Sequence, residues 1–192
     1  MQDRKQKFDY WFLENVFLKK DIKNLNNLIK KNIYQKEPEK FTAKNPDGSN
    51  KKFVNTSQLK WASVKNYLYP LYEELKSINN YNFGYHTFDF TDQTTLNYNV
   101  YSGDKKARYD WHADSSDNPL VDTKLTVLIN LSIKEYTGGD FLLFNGVPYK
   151  VPELNSSGNL IMFKSYLQHK VEPVTKGERI TLSLFFDGKA FV

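Results

Sequence analysis

The sequence predicts a mainly β protein, a sandwich or barrel with helices packed ahead of it. Two observations carry this expectation. From residue 83 onward, apolar and aromatic residues come in short runs broken by turn residues, which is the texture of many short strands. Before residue 83, two stretches instead repeat their apolar residues at helical spacing.

In chain order, residues 10–18 begin as a strand, and Ile22, Leu25, Leu28 and Ile29 then mark a helix over 19–31. Residues 35–52 are polar and contain Pro38, Pro46 and Asp47-Gly48, so they read as a long loop. A second helix over 63–78 carries Val64, Tyr67, Leu68, Leu71, Tyr72 and Leu75, with Pro70 inside it. Strands are expected near 84–90, 95–101, 108–112, 123–131, 140–144, 147–150, 159–163, 168–173 and 179–186. Gly138-Gly139 reads as a turn that needs positive φ. The chain is read as one domain over residues 1–192, with helical support in 1–82 and the β core in 83–192.

Composition narrows the function. Forty per cent of residues are apolar and 16% aromatic, enough to bury a core. There is no apolar run long enough to span a bilayer. No secretory pattern is seen either, so a cytoplasmic protein is expected and no membrane partner. With no cysteine, thiolate nucleophiles, disulfides and zinc–thiolate sites are excluded, and any metal must be held by histidine and carboxylate. The net charge of +5 comes from 24 lysines spread along the chain against 3 arginines. This reads as a solvated face rather than a nucleic-acid site. The wealth of Lys, Asn, Tyr and Phe hints at an AT-rich genome, bacterial or phage.

Three histidines are present, His86, His112 and His169. His112 and Asp114 lie two apart at a strand end, so both side chains point to one side and can take adjacent positions on a metal. A third ligand from a distant strand would complete the two-histidine, one-carboxylate set of non-haem iron(II) oxygenases. A His followed by an acid two residues later is common. Sharper is Arg179, ten residues after His169, because with so few arginines chance puts one there for only about two per cent of histidines. Its guanidinium offers a carboxylate a two-pronged fork that lysine lacks. His86 has no partner at metal spacing and reads as structural. Tyr109 and Trp111 fit either sandwich packing or a pocket wall.

The region 96–187 resembles the 2-oxoglutarate/Fe(II)-dependent dioxygenase superfamily, in its prolyl 4-hydroxylase-like branch. The residues that carry the resemblance are Tyr101-Ser-Gly, Tyr109-Asp-Trp-His112-Ala-Asp114, Gly138-Gly139-Asp140 and His169-Lys-Val-Glu-Pro173-Val-Thr-Lys-Gly177-Glu-Arg179. The resemblance implies a double-stranded β-helix, or jelly roll. It implies iron(II) on His112, Asp114 and His169, and 2-oxoglutarate and dioxygen as co-substrates, with ascorbate as an accessory reductant. It gives Arg179 the distal carboxylate of 2-oxoglutarate, with Tyr101 and Thr181 as further co-substrate contacts. Tyr109, Trp111 and Phe185 would line the substrate pocket; prolyl hydroxylases often carry tryptophan where Phe185 stands. The implied reaction couples decarboxylation of 2-oxoglutarate to hydroxylation of an unactivated C–H bond, with a proline-containing peptide or protein as substrate. The alternatives are hydroxylation of another amino acid or a small molecule, nucleic-acid demethylation, and a jelly-roll binding module without catalysis. Demethylases of this superfamily commonly carry a second arginine six residues after the first, and Phe185 stands there.

Overall fold

The computed structural model describes residues 8–36, 48, 49, 51–116 and 118–190. The chain begins with β1 (Tyr10–Leu13), helix α1 (Lys19–Lys31), β2 (Gln35–Lys36), β3 (Lys52–Phe53) and β4 (Asn55–Lys60). Helix α2 (Lys65–Ile78) follows and widens into a π-turn, Asn79–Phe83. Then come β5 (Thr95–Ser102), β6 (Arg108–His112), β7 (Val121–Asn130), β8 (Thr137–Gly138), β9 (Phe141–Asn145) and β10 (Val147–Lys150). The last strands are β11 (Leu160–Lys164), β12 (Gln168–Val171), β13 (Val174–Lys176) and β14 (Glu178–Lys189).

The strands form a jelly roll. A seven-stranded sheet runs β1-β11-β7-β14-β5-β4-β2, a five-stranded sheet runs β10-β9-β12-β6-β3, and β13 pairs with β8 in a small ribbon. Every pairing is antiparallel. Both faces of the larger sheet are covered, and strand alternation divides the residues between them. On β14, Ile180, Leu182, Leu184 and Phe186 join Leu96, Tyr98, Val127 and Ile129 against Ile22, Leu25 and Ile29 of α1 and Leu68, Leu71 and Leu75 of α2. The intervening residues Arg179, Thr181, Ser183 and Phe185 face the space between the sheets. A second core, with Leu128, Ile161 and Phe163 from the larger sheet and Phe141, Leu143 and Val171 from the smaller, closes one end of that space. Each such apolar side chain contributes roughly 1.5–3 kcal/mol by leaving water. Asn26 of α1 is buried in this apolar layer yet fully used: it donates to the Ile22 and Leu131 carbonyls and accepts the Tyr98 hydroxyl at 2.6 Å, tying helix to sheet.

The helix over 19–31 has the bounds its periodicity predicts. In α2, Pro70 sits on the exposed side, where water can satisfy the carbonyl it leaves unpaired, so the helix continues through it. The expected strand over 84–90 does not form. Its amides are taken locally by side chains: Tyr85 N–H donates to Asn79 Oδ1, and Phe90 N–H to the Tyr72 hydroxyl. Phe88 alone donates along the neighbouring strand, to the Asp187 carbonyl. The first 82 residues supply strands as well as helices, because β1, β2 and β3 occupy sheet edges and β4 lies one strand inside the edge. Of the expected loop over 35–52, residues 37–47 and 50 lie outside the described residues, and its two ends form β2 and β3. Gly138 and Gly139 both adopt positive φ, +76° and +71°. Among the described residues, no helix is long and apolar enough to cross a membrane.

Candidate active site

His112 ends β6 and His169 lies on β12, directly opposite it in register. Asp114 follows two residues after His112, its amide donating to the Ser165 carbonyl. The potential ligand atoms of His112, Asp114 and His169 all lie within 4.8 Å of one another. His112 Nε2 is 3.8 Å from Asp114 Oδ1, and His169 Nε2 is 3.5 Å from Asp114 Oδ2. Each imidazole is oriented from behind: Nδ1 of His112 meets the Asp110 carbonyl at 2.7 Å, and Nδ1 of His169 meets the Leu167 carbonyl at 3.0 Å. A carbonyl only accepts, so Nδ1 carries the proton in both rings and each Nε2 lone pair faces its neighbours. Burial, helped by the adjoining His169 and more weakly by Lys51 and Lys52, pushes His112 down to about 3 against the opposing pull of the Asp110 carbonyl. His112 is therefore neutral at ordinary pH, the form a metal needs. Two imidazole nitrogens and one carboxylate on one side of an open cavity fit iron(II) with positions left for other ligands.

The same cavity, about 100 Å³, contains Arg179, Tyr101, Thr181, Tyr109 and Phe185 on its walls. Arg179 is fully buried, and among the described residues its Nε, Nη1 and Nη2 have no hydrogen-bond partner. An uncompensated buried guanidinium is expensive, so this one is built to meet an anion that enters the cavity. Arg179 lies over the Tyr101 ring at 5.3 Å, and the two are register partners on β14 and β5. Its stem is boxed in by Gly139, where an added Cβ would lie 2.9 Å from Arg179 Cδ and 2.8 Å from a Val174 methyl. Burial raises the Tyr101 phenol to about 12, so it stays protonated and can donate.

The structure does not bring Trp111 to this cavity. Between Tyr109 and His112 the pairing with β12 is irregular: His169 faces His112 while Val171 faces Tyr109, so two intervening residues of β6, Asp110 and Trp111, stand against one of β12, Lys170. This bulge keeps Tyr109 on the same side as His112, their rings stacked at 3.5 Å. It turns Trp111 outward, against Phe144 and under the Lys170 ammonium. Of the two β6 residues to which the resemblance gives pocket roles, Tyr109 is placed on the cavity wall and Trp111 is not, because of this bulge, which no residue in the run announces.

Several cavity residues went unrecognised in the sequence. Asn97 and Asn99 of β5 and Ser183 of β14 put a polar patch on the inner face of the larger sheet, with Thr56 of β4 beside the cavity: Thr56 donates to Asn99 Oδ1, and Asn99 Nδ2 to Ser183 Oγ. Thr126 of β7 donates to Asp114 Oδ2 at 2.6 Å and meets Ser165 Oγ at 2.9 Å. The available signal was alternation, since polar residues recurring every second position on 97–101 and 179–183 mark a wet inner face. His86 contributes nothing to the cavity. A separate cleft of about 450 Å³ adjoins Asp114 and is walled by Tyr85, Tyr166, Val121 and Lys124.

The family model described as the 2OG-Fe(II) oxygenase superfamily matches residues 96–187. Among curated proteins, none matches the chain by sequence. The fold is similar to that of a Pseudomonas putida prolyl-4-hydroxylase, with a TM-score of 0.65 at 16% identity, covering 94% of this chain and 92% of that one. It is also similar to a Trichoplax adhaerens prolyl hydroxylase in complex with a hypoxia inducible factor peptide fragment, with a TM-score of 0.66 at 16% identity over 94% of this chain and 84% of that one. A viral collagen prolyl hydroxylase from Paramecium Bursaria Chlorella virus-1 aligns with a TM-score of 0.61 at 18% identity, over 95% and 97% of the two chains. At such identities the likeness is one of fold.

Proposed function

The chain belongs to the 2OG-Fe(II) oxygenase superfamily, and from that premise we propose that it hydroxylates a residue, most specifically a proline, in a polypeptide. Iron(II), 2-oxoglutarate and dioxygen are the reagents of the family. The single observation that carries the oxygenase reading is Arg179, a buried guanidinium with three unpartnered nitrogens in the cavity that also contains His112, Asp114 and His169.

In this reading His112, Asp114 and His169 hold the iron, two through Nε2 and one through carboxylate. Arg179 receives the distal carboxylate of 2-oxoglutarate in its fork, so that this charge is paired when it leaves water. Tyr101 and Thr181 donate hydroxyl hydrogens to the same co-substrate. Bound iron supplies the activation of dioxygen, in which 2-oxoglutarate is decarboxylated to succinate and one oxygen atom passes to the substrate. The protein's own part is orientation and exclusion of water, and Phe141, Leu128 and Val171 provide dry walls for it.

The size of the cavity favours a polypeptide. Sites that enclose a small ligand run to roughly 300–1,000 Å³, whereas this one is about 100 Å³ and must also take 2-oxoglutarate. The substrate therefore projects only one group inward, and the rest lies outside. The adjoining cleft of about 450 Å³ is suited to an extended chain, with Tyr85 and Tyr166 as aromatic walls. Phe185, with Tyr109 beside it on the cavity wall, offers an aromatic surface to a flat apolar group such as proline. Two of the structurally similar proteins are a prolyl-4-hydroxylase and a prolyl hydroxylase bound to a peptide. A second reading, hydroxylation of another amino acid or of a small molecule, draws on the polar patch of Asn97, Asn99 and Ser183.

The test is succinate formation by the iron-loaded protein with 2-oxoglutarate, presented in turn with proline-rich peptides, free amino acids and methylated oligonucleotides. Peptides should stimulate turnover and gain the mass of one oxygen atom. A broad proline-peptide library that shows no mass gain, while another substrate does, would transfer the assignment to that substrate.

A further inference from the structure

We propose that Thr126 is a positioning residue for the metal-ligand carboxylate of Asp114, and that Ser165 sets the direction of its hydrogen bond. The proposal rests on the metal-site reading above and adds two residues to it.

Asp114 follows β6 rather than lying within it, and torsion about its carboxylate is soft, because such terminal torsions are broad. Two contacts restrain it. Its amide donates to the Ser165 carbonyl, and its Oδ2 accepts the Thr126 hydroxyl at 2.6 Å. Thr126 lies on β7, inside the larger sheet and opposite Phe163 of β11, and Ser165 opens the turn directly after β11. Both are almost fully buried, at 1% and 0% exposure.

The proton order follows from chemistry alone. An ionised carboxylate can only accept, so Thr126 spends its one hydrogen on Asp114. The 2.9 Å contact between Thr126 Oγ1 and Ser165 Oγ then has Ser165 as donor. The chain Ser165 to Thr126 to Asp114 thus has one direction and ends on the carboxylate. A buried hydroxyl without a partner is costly, so each of these two needs the hydrogen bond it makes here. Valine would fill the space of Thr126 but would leave Asp114 Oδ2 without its donor and the Ser165 hydroxyl without its acceptor. What threonine adds is a fixed rotation of the Asp114 carboxylate toward the Nε2 atoms of His112 and His169. Hydrogen-bond partners of metal ligands typically influence metal affinity by about 10–100-fold.

The experiment is a Mn(II) titration of the full chain, freed of metal by chelator and followed by the electron paramagnetic resonance of unbound Mn(II), with thermal melting of each apo-protein beside it. Thr126→Val should still fold, melting somewhat below wild type because the buried Ser165 hydroxyl loses its acceptor, and should bind Mn(II) about 10–100-fold more weakly. Thr126→Ser, which keeps the hydroxyl, should restore affinity, and Ser165→Ala should show a smaller loss in the same direction. Wild-type affinity in Thr126→Val overturns the proposal. Should that variant fail to fold, the comparison of Thr126→Ser with Ser165→Ala decides: a loss in the second alone supports the hydroxyl chain, and equal affinities refute it. A wild-type protein that binds no Mn(II) would refute the metal site itself and this proposal with it. Equal binding by wild type and Thr126→Val would refute the hydroxyl chain alone.

Discussion

Replacing Arg179 by methionine separates the cost of the fold from the needs of the site. The guanidinium is fully buried, and among the described residues none of its three nitrogens has a hydrogen-bond partner. Such a charge opposes folding, and replacing buried ionic groups by apolar ones of similar size is often neutral or stabilising by about 1–4 kcal/mol. Once 2-oxoglutarate is bound, the same guanidinium is paired, and breaking a buried pair costs about 3–5 kcal/mol. Taking 3 kcal/mol, at about 1.4 kcal/mol per tenfold, gives an affinity loss on the order of a hundredfold. The two effects have opposite signs in one variant. The assay is thermal melting with Mn(II) in place of iron across a 2-oxoglutarate titration. In the wild type, ligand at about 100 times its Kd adds about 2.7 kcal/mol, a shift of roughly 5–11 °C for a chain of this size at about 2–4 °C per kcal/mol. Arg179→Met should melt at or above the apo wild type and show almost none of that shift. Arg179→Lys should fall between, since the charge remains and the fork is lost. An Arg179→Met protein that is stabilised by 2-oxoglutarate as strongly as wild type would mean that the co-substrate is anchored elsewhere. An apo-protein less stable by several kcal/mol would mean that the stem of Arg179, packed beside Gly139, matters more than its charge.

Other consequences follow from the same geometry. His112→Ala should abolish turnover and weaken Mn(II) binding severely while leaving far-ultraviolet circular dichroism unchanged, because the ring is a cavity wall and not part of the main cores; full activity in that variant would remove His112 from the site. Trp111→Ala should leave kcat and 2-oxoglutarate affinity within about twofold of wild type, whereas Tyr109→Ala, which removes a ring stacked on His112, should reduce turnover by about tenfold or more. Steady-state kinetics of the pair checks this, and a larger loss in Trp111→Ala would contradict the bulge that turns it outward.

The chemistry of the site was legible in the sequence to the extent that it is local. His112 and Asp114 share a side because they are two apart, and Arg179 follows His169 ten residues later, where the chain passes from β12 through β13 and the turn at Gly177 into β14. Helix α1 was legible because its apolar period is long and clean, and the run 179–186 because polar and apolar residues alternate across a sheet covered on both faces. The rest depended on side-chain and register contacts that local periodicity does not reveal. Residues 84–90 have the composition of a strand, but Asn79 and Tyr72 capture their amides and only the folded chain brings those side chains near. Trp111 faces away from the cavity because β6 is bulged against β12, a register set by two strands almost sixty residues apart. Thr126 and Ser165 reach Asp114 because β11 pairs with β7 in one register, and nothing in either local sequence distinguishes them from ordinary strand hydroxyls. Periodicity determines which face a residue takes while a strand stays regular. Where the ladder slips, or where a side chain replaces a neighbouring strand as hydrogen-bond partner, only tertiary contacts decide, because the competing backbone arrangements differ by a few hydrogen bonds of about 1 kcal/mol each.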